Sequence, residues 1–321
     1  MSYRFATTLR PALLPLLSAA PRLVYVDCGA RAESGNPLVD IFPQGRYIGF
    51  EPDEEECRRL NAAARPNYRF HPVALAGGTG ETTFHVTANP ACSSLYAPDP
   101  RSLADYEGVD GCLTPERTVR LRTDTLDAFL ASIGEETIHC FELDTQGSEL
   151  DILRGAVGAL DGPILAVKAE VEFVPQYLEQ PLFGEVDAFL REHRFALFAL
   201  SPRCLRWKGL PRDIASDGQL LWGHALYLKR PEALPAEAGA HILQAVIASC
   251  QGVHDYAQAV LARGAERLGG PDPAGAARLT ALREGLLAAL PRQAGPESPQ
   301  PGPAWKRFAA SLLRAALRRL G

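Results

Sequence analysis

This sequence has no C-x-x-C pair and no grouping of Cys and His at metal-ligand spacing. Its seven cysteines, Cys28, Cys57, Cys92, Cys112, Cys140, Cys204 and Cys250, are dispersed and odd in number. That pattern reads as reduced thiols in a cytoplasmic protein and argues against a disulfide framework. The histidines are scattered too, so no protein-only metal site is expected. An excess of positive charge is also missing, since 33 Lys and Arg stand against 38 Asp and Glu, a net charge of −5. A general nucleic-acid binder would carry a broad basic face, and none is expected here. No apolar run reaches the roughly 18 residues that a membrane-spanning helix needs. No internal repeat is visible. The G-x-G-x-x-G of a nicotinamide-dinucleotide turn is absent after the first candidate strand, where Gly29 is followed only by Gly35.

What is present is an ordinary globular composition, 46% hydrophobic and 22% charged, over 321 residues. That length suits about two domains. Candidate strands are 23–27, 46–50, 68–75, 138–143, 164–171, 195–200 and 225–228, with helices at 53–64, 124–133, 147–160 and 181–193. The alternation predicts an α/β, Rossmann-like fold with a mainly parallel seven-stranded sheet covered on both faces. Residues 76–122 break this rhythm. Gly77-Gly78-Thr79-Gly80 forms a turn, and 82–86 and 118–122 alternate like strands. A β-hairpin insertion with a loop over 88–116 is expected, and a loop of that length is usually functional or disordered.

The ends of the chain differ from its middle. Arg4, Arg10 and the apolar run 12–20 imitate a signal peptide. Cleavage after Ala20 would leave almost nothing before the first strand, so residues 1–20 are read as a helix preceding a sheet domain over 21–231. Residues 232–290 read as a helical extension, with helices at 238–268 and 274–290. Residues 291–304, with five prolines, read as a linker. In 305–321, Trp305, Phe308, Ala309, Leu312, Ala316 and Leu320 share a helical face, while Lys306, Arg307, Arg314, Arg318 and Arg319 carry the polar side with no acid. Such a basic amphipathic helix suits a membrane surface or a partner groove. A helix docked on its own domain is the alternative.

The chemistry concentrates at candidate strand ends. Residues 23–27 close on Asp27, Gly29 follows, and the next apolar run ends at Glu51. In an open α/β sheet, ligands bind outside the carboxyl ends of the strands, at a topological switch point. There Gly29 would let the backbone approach a ligand, Asp27 would take a cationic group, and Glu51 would accept the two hydroxyls of a ribose. Asp144-Thr145-Gln146-Gly147-Ser148-Glu149 repeats the strand–acid–Gly–helix pattern, with Asp144 facing the same crevice and Glu149 placed to favour a helix dipole. On the following strand, Lys168, Glu170 and Glu172 share one face. Tyr177, Gln180 and Phe183 would close over an acceptor, and Ser93 and Ser94 would reach the crevice from the loop.

In order and spacing these pieces resemble the FkbM family of S-adenosylmethionine-dependent methyltransferases. The resemblance rests on Val26-Asp27-Cys28-Gly29-Ala30-Arg31, Gly49-Phe50-Glu51-Pro52-Asp53, Ala74-Leu75 and Ser93-Ser94-Leu95. It continues through Thr125-Leu126-Asp127, Asp144 to Leu150, Glu170-Val171-Glu172-Phe173 and Gln180-Pro181-Leu182-Phe183, covering roughly residues 20–230. The family's second glycine after Asp-x-Gly-Ala is missing, and the late strand carries Gly223-His224 where relatives often have an acid. The resemblance implies methyl transfer from S-adenosylmethionine, generally to a hydroxyl of a sugar, glycan or other small natural product. It implies cofactor contacts from Asp27, Gly29, Arg31, Glu51, Ala74, Ser94 and Asp144, and acceptor contacts from Glu170, Glu172 and Tyr177. Asp144 or Glu172 is the candidate base, with His71, His85 and His139 as alternatives. The competing reading is a non-catalytic scaffold of the same fold, tethered by its terminal helix.

Overall fold

Pro72 interrupts the apolar run that begins at Tyr68. It has no N–H to give a ladder, so a run that reads as one strand becomes two, in two different sheets. A computed structural model describes residues 6–14, 17, 21–31, 36–135 and 137–290. The chain divides into a unit of residues 1–287 and a second of 288–321, nearly all of which lies outside the described residues, as does the basic segment 305–321. The first half contains α1 (Ala6–Leu13), β1 (Val24–Cys28), β2 (Arg46–Phe50), α2 (Glu54–Ala63), β3 (Tyr68–His71), β4 (Ala74–Leu75), β5 (Gly80–Thr87), β6 (Pro115–Asp124) and α3 (Leu126–Ser132). Then come β7 (Cys140–Leu143), α4 (Glu149–Arg154), α5 (Val157–Asp161), β8 (Ala166–Glu172), α6 (Phe183–Glu192), β9 (Phe195–Leu205) and β10 (Gln219–Lys229). Helices α7 (Ala238–Cys250), α8 (His254–Leu268) and α9 (Pro273–Ala289) follow. None of the described helices is long and apolar enough to cross a membrane.

Seven strands form the main sheet in the order β3-β2-β1-β7-β8-β10-β9. All pairings are parallel except those of β10, which runs antiparallel to β8 and β9. The chain winds outward from β1 to β3 on one side and from β7 toward β9 on the other. The direction therefore reverses between β1 and β7, which defines the switch point. One sheet face presents Val24, Val26, Ile48, Phe50, Phe141, Leu143 and Val167 to a core shared with Leu126, Phe129, Leu130, Leu150, Leu153, Val186 and Leu190. Each such side chain contributes about 1.5–3 kcal/mol when fully buried.

Polar caps place the helices. Asp53 accepts from the N–H groups of Glu55 and Glu56 at the start of α2, and Thr125 accepts from Ala128 at the start of α3. Asp127 accepts from Gly158 and Ala159 at 2.7 and 3.0 Å, so it begins α5 from a distance. The segment 147–160, read as one helix, is therefore two. They part at Gly155, where any Cβ would lie 2.4 Å from the Ala76 carbonyl oxygen. The segment 238–268 is likewise broken between α7 and α8, at Gly252 with φ +88°.

The insertion forms a separate three-stranded sheet, β4-β6-β5. Pairing of Thr87 with Pro115 draws together the ends of the loop over 88–116. That loop is ordered around its own small core of Cys92, Leu103, Tyr106, Leu113, Tyr177 and Leu221. Its closure joins Cys92 to Cys112 in a disulfide, which corrects the reading of all seven cysteines as free thiols. Spacing along the chain gave no sign of it, because the hairpin register brings the two together. The other five are free.

Candidate active site

Where β1 and β7 diverge, a cavity of about 850 Å³ opens. The strand ends line it with Cys28, Gly29, Phe50, Glu51, Asp144 and Thr145, and the hairpin with Phe84, Val86, Val119 and Leu121. Phe84 and Val119 are cross-strand partners, so the alternation legible in the hairpin strands supplies an apolar wall to a crevice whose strand ends are acidic.

Gly29 has φ +89°, and a Cβ there would stand 2.1 Å from the Asp144 carbonyl oxygen. Its freedom serves the seam between β1 and β7, where the Asp144 N–H donates to the Cys28 carbonyl at 3.0 Å. The close approach seen at Gly29 is to the Asp144 carbonyl, and Gly29 also lines the cavity. Glu51 is 4% exposed. Its Oε1 accepts from the Asp53 N–H at 2.9 Å and lies 3.7 Å from Arg31 Nη1. Burial raises its pKa against the opposing pull of that amide and of Arg31. Arg31 and Ala74 line the cavity. Asp27 and Ser94 do not line it. The Asp27 carboxylate accepts from the Tyr47 hydroxyl at 2.5 Å. The Ser94 hydroxyl donates to the Gln146 carbonyl at 2.6 Å and accepts from the Tyr96 N–H.

Beside these residues lies a dense group of acids. Glu149 and Glu170 are buried, as is Glu172. Gln146 is the hub. Its backbone is left-handed, with φ 57°, a conformation costing an L-residue about 1–2 kcal/mol. Its Nε2 donates to Asp144 Oδ1 at 2.9 Å and to Glu170 Oε2 at 2.7 Å. Glu149 stands in the first turn of α4, and its Oε1 accepts from the Thr145 N–H and hydroxyl at 2.7 and 3.0 Å, so it also braces the preceding turn. Tyr177, read as an acceptor contact, is 2% exposed and donates to the Cys92 carbonyl at 2.8 Å. Gln180 accepts from the Gln176 and Tyr177 amides, and Phe183 stacks on Phe173. Lys168 pairs with Glu142, away from Glu170 and Glu172.

Burial sets the ionisation of this group first. It pushes Glu170 well up, and Asp144, Glu172 and Glu149 push the same way. Glu172 is raised by burial, then by Glu149 and Asp144. Glu149 rises to about 7, burial outweighing its hydrogen bonds. Asp144 goes the other way: burial would raise it, but His224, Glu170 and Gln146 together hold it below its ordinary value. One ionised carboxylate thus stands among carboxyls that favour the proton.

His224 and Gln146 are the members that sequence reasoning did not assign to the site. His224 Nε2 lies 3.5 Å from Asp144 Oδ2. It arrives through the antiparallel register of β10, directly opposite Glu170, and only its departure from the family pattern marked it in the sequence. The alternative bases are placed elsewhere. His139 Nδ1 accepts from the Val24 N–H at the start of β1, at the far end of the strand from Cys28. His71 packs against Phe50 and Phe129, and His85 lies on β5, neither of them lining the cavity.

The chain matches the model of the methyltransferase FkbM domain over residues 27–197, more than half its length, and belongs to that family. It is an S-adenosylmethionine-dependent methyltransferase. No curated protein matches it. Among solved structures, it is similar to magnesium protoporphyrin IX methyltransferase from Synechocystis PCC 6803 with bound SAM. That match has 9% identity and a TM-score of 0.32, and covers 71% of this chain and 79% of that one. It is similar as well to precorrin-6y C5,15-methyltransferase from Geobacter metallireducens GS-15, at 15% identity and a TM-score of 0.29, over 69% and 88% of the two chains. Likeness at this level bears on neither substrate nor residue roles. The residues present suit the donor. A buried carboxylate with one oxygen engaged ends β2 for a diol, and Asp144, after β7 in the same cavity, suits a cationic group.

Proposed function

We propose that the chain methylates a hydroxyl oxygen of a sugar, glycan or other small natural-product acceptor. Glu51 would hold the donor's ribose, with Gly29, Arg31 and Ala74 beside it, and Asp27 and Ser94 would support that lining from behind. The donor supplies a methyl group carried on a positive sulfur. This chain's part is to hold the acceptor oxygen in line with that methyl, and positioning of this kind can be worth roughly 7–11 kcal/mol of a barrier. Its second task is to take the hydroxyl proton, typically worth about 10²–10⁴-fold. Asp144 and Glu172 are the candidate acceptors of that proton, Glu170 and Glu172 flanking the bound acceptor.

One observation carries the reading. Asp144, kept ionised among buried carboxyls, lines the same cavity as Glu51. The test is mass spectrometry of the purified protein for retained S-adenosylhomocysteine, then a screen of hydroxylated acceptors with labelled donor. Asp144→Asn and Glu172→Gln should keep donor affinity and lose turnover by about 10²–10⁴-fold. Near-normal turnover in both variants would remove these residues from the chemistry. Donor binding without turnover on any acceptor would favour the scaffold reading. We also propose that the basic segment 305–321 brings the enzyme to the inner face of a membrane carrying a lipid-linked acceptor. That reading is supported by its sequence alone.

A further inference from the structure

Asp144, Glu170 and His224 each offer one ligand-type atom, and these three atoms lie within 4.8 Å of one another. They come from adjacent strands: Asp144 follows β7, Glu170 stands on β8, and His224 faces Glu170 across the β8–β10 ladder. The separation of these strands along the chain explains why no ligand spacing was legible in the sequence. Two features distinguish the group from a plain acidic cluster. The first is an imidazole nitrogen, His224 Nε2, 3.5 Å from Asp144 Oδ2. The second is a shared orienting donor. Gln146 Nε2 engages one oxygen of Asp144 and one of Glu170, and the other Asp144 oxygen faces His224 Nε2, so the ligand-type atoms converge on one another. Outer hydrogen bonds that orient ligands in this way are a regular part of metal sites.

Charge points the same way. Of the acids Asp144, Glu149, Glu170 and Glu172, the three glutamates are buried and Asp144 is bridged to Glu170 through Gln146. Among the described residues, His224 is the one basic side chain in ion-pair range of any of these four. We propose that Asp144, Glu170 and His224 form a divalent-cation site, for a hard ion that also accepts an imidazole, such as Mn²⁺, which binds the acceptor's hydroxyl oxygen. Two carboxylate oxygens and one imidazole suit such an ion better than a thiolate-seeking one. Three protein ligands leave open positions for the acceptor and water. The ion polarises the hydroxyl as its O–H bond breaks and the proton passes to Glu172, which acts in its ionised form. The oxygen–methyl bond then forms as the carbon–sulfur bond breaks, with its electron pair staying on sulfur. Asp144 on this assignment is a ligand and not the base. The role in catalysis rests on the proposed O-methyl transfer, whereas the binding site stands independently of it.

The experiment uses the full chain, freed of metal by a chelator. Mn²⁺ is titrated in with and without S-adenosylhomocysteine, free ion is followed by electron paramagnetic resonance, and S-adenosylhomocysteine affinity is measured separately by calorimetry. One bound Mn²⁺ is expected, weakened at least about tenfold in Glu170→Gln, His224→Ala and the closer replacement His224→Gln. Circular dichroism melts confirm that the variants compared are folded. Chelator should stop turnover and Mn²⁺ restore it, with donor affinity unchanged. Absence of a saturable Mn²⁺ site, or equal binding by wild type and all folded variants, would overturn the site. If S-adenosylhomocysteine binds and Mn²⁺ does not, the cation site falls and the methyl-transfer reading stands. If Mn²⁺ binds through these residues and S-adenosylhomocysteine does not, the reverse holds.

Discussion

Replacing Glu51 by Gln should move donor affinity and protein stability in opposite directions. One carboxylate oxygen already accepts from the Asp53 N–H at 2.9 Å, so the other is the one a ribose would meet. Hydrogen bonds to a charged acceptor contribute about 1.5–3 kcal/mol, against about 0.5–1.5 for a neutral one. Glu51→Ala should therefore weaken S-adenosylhomocysteine binding by about 10- to 150-fold, at about 1.4 kcal/mol per tenfold. Glu51→Gln keeps a neutral acceptor and should lose roughly 1 kcal/mol, about fivefold. The stability effect has the opposite sign. Burial raises the pKa of Glu51 above its ordinary value, so the folded state holds the proton more tightly than the unfolded chain. Its contribution is full below the unfolded pKa and is lost as pH rises through the folded one. At neutral pH the ionised group therefore burdens the ligand-free fold, and Glu51→Gln should raise its Tm. That gain should fade as pH falls toward the unfolded carboxyl range near about 4.3. Calorimetry for affinity and differential scanning across pH for Tm provide the measurements. Unchanged affinity in both variants would remove Glu51 from the donor site, and a lower Tm for Glu51→Gln would refute the electrostatic reasoning.

Three other perturbations have equally definite outcomes. Burial, and secondarily Arg22, lowers the pKa of His139 to about 4. Its contribution is present above the unfolded value near about 6.5 and should fall by about 3 kcal/mol as pH drops to about 4. Urea melts should show that loss in the wild type and a flatter profile in His139→Asn, which keeps an acceptor for the Val24 N–H; parallel profiles would contradict it. Gly29→Ala should destabilise the fold by more than the roughly 1–2 kcal/mol of a left-handed L-residue, because its Cβ would also meet the Asp144 carbonyl oxygen at 2.1 Å. An unchanged urea midpoint would show that this seam can open without cost. Deleting residues 300–321 should abolish co-sedimentation with anionic liposomes while sparing donor binding, each basic group near such a surface contributing about 1 kcal/mol. Full-length protein that ignores liposomes at low salt would rule out the membrane role.

Local patterns determined a good deal about this protein. Apolar runs ending in Asp27, Glu51 and Asp144 placed acids at or beside the carboxyl ends of β1, β2 and β7, although Asp27 and Glu51 are buried there. The alternation of strands with amphipathic segments was enough for a mainly parallel seven-stranded sheet, and the matching motifs for the family. Breaks in elements were harder to see. Pro72 and Gly155 each divide a periodic run, and periodicity alone runs on past a residue that cannot continue the ladder or that meets a neighbouring carbonyl. The crowding at Gly29 was also hidden, since its neighbour is the carbonyl of Asp144, just after β7. What only the tertiary structure decided was partnership across strands. The register of β10 brings His224 to Asp144 and Glu170, the turn at Gln146 bridges two carboxylates, and hairpin pairing joins Cys92 to Cys112. Such contacts depend on register and strand order, which are set by the packing of the whole sheet, and neighbours along the chain carry no record of them.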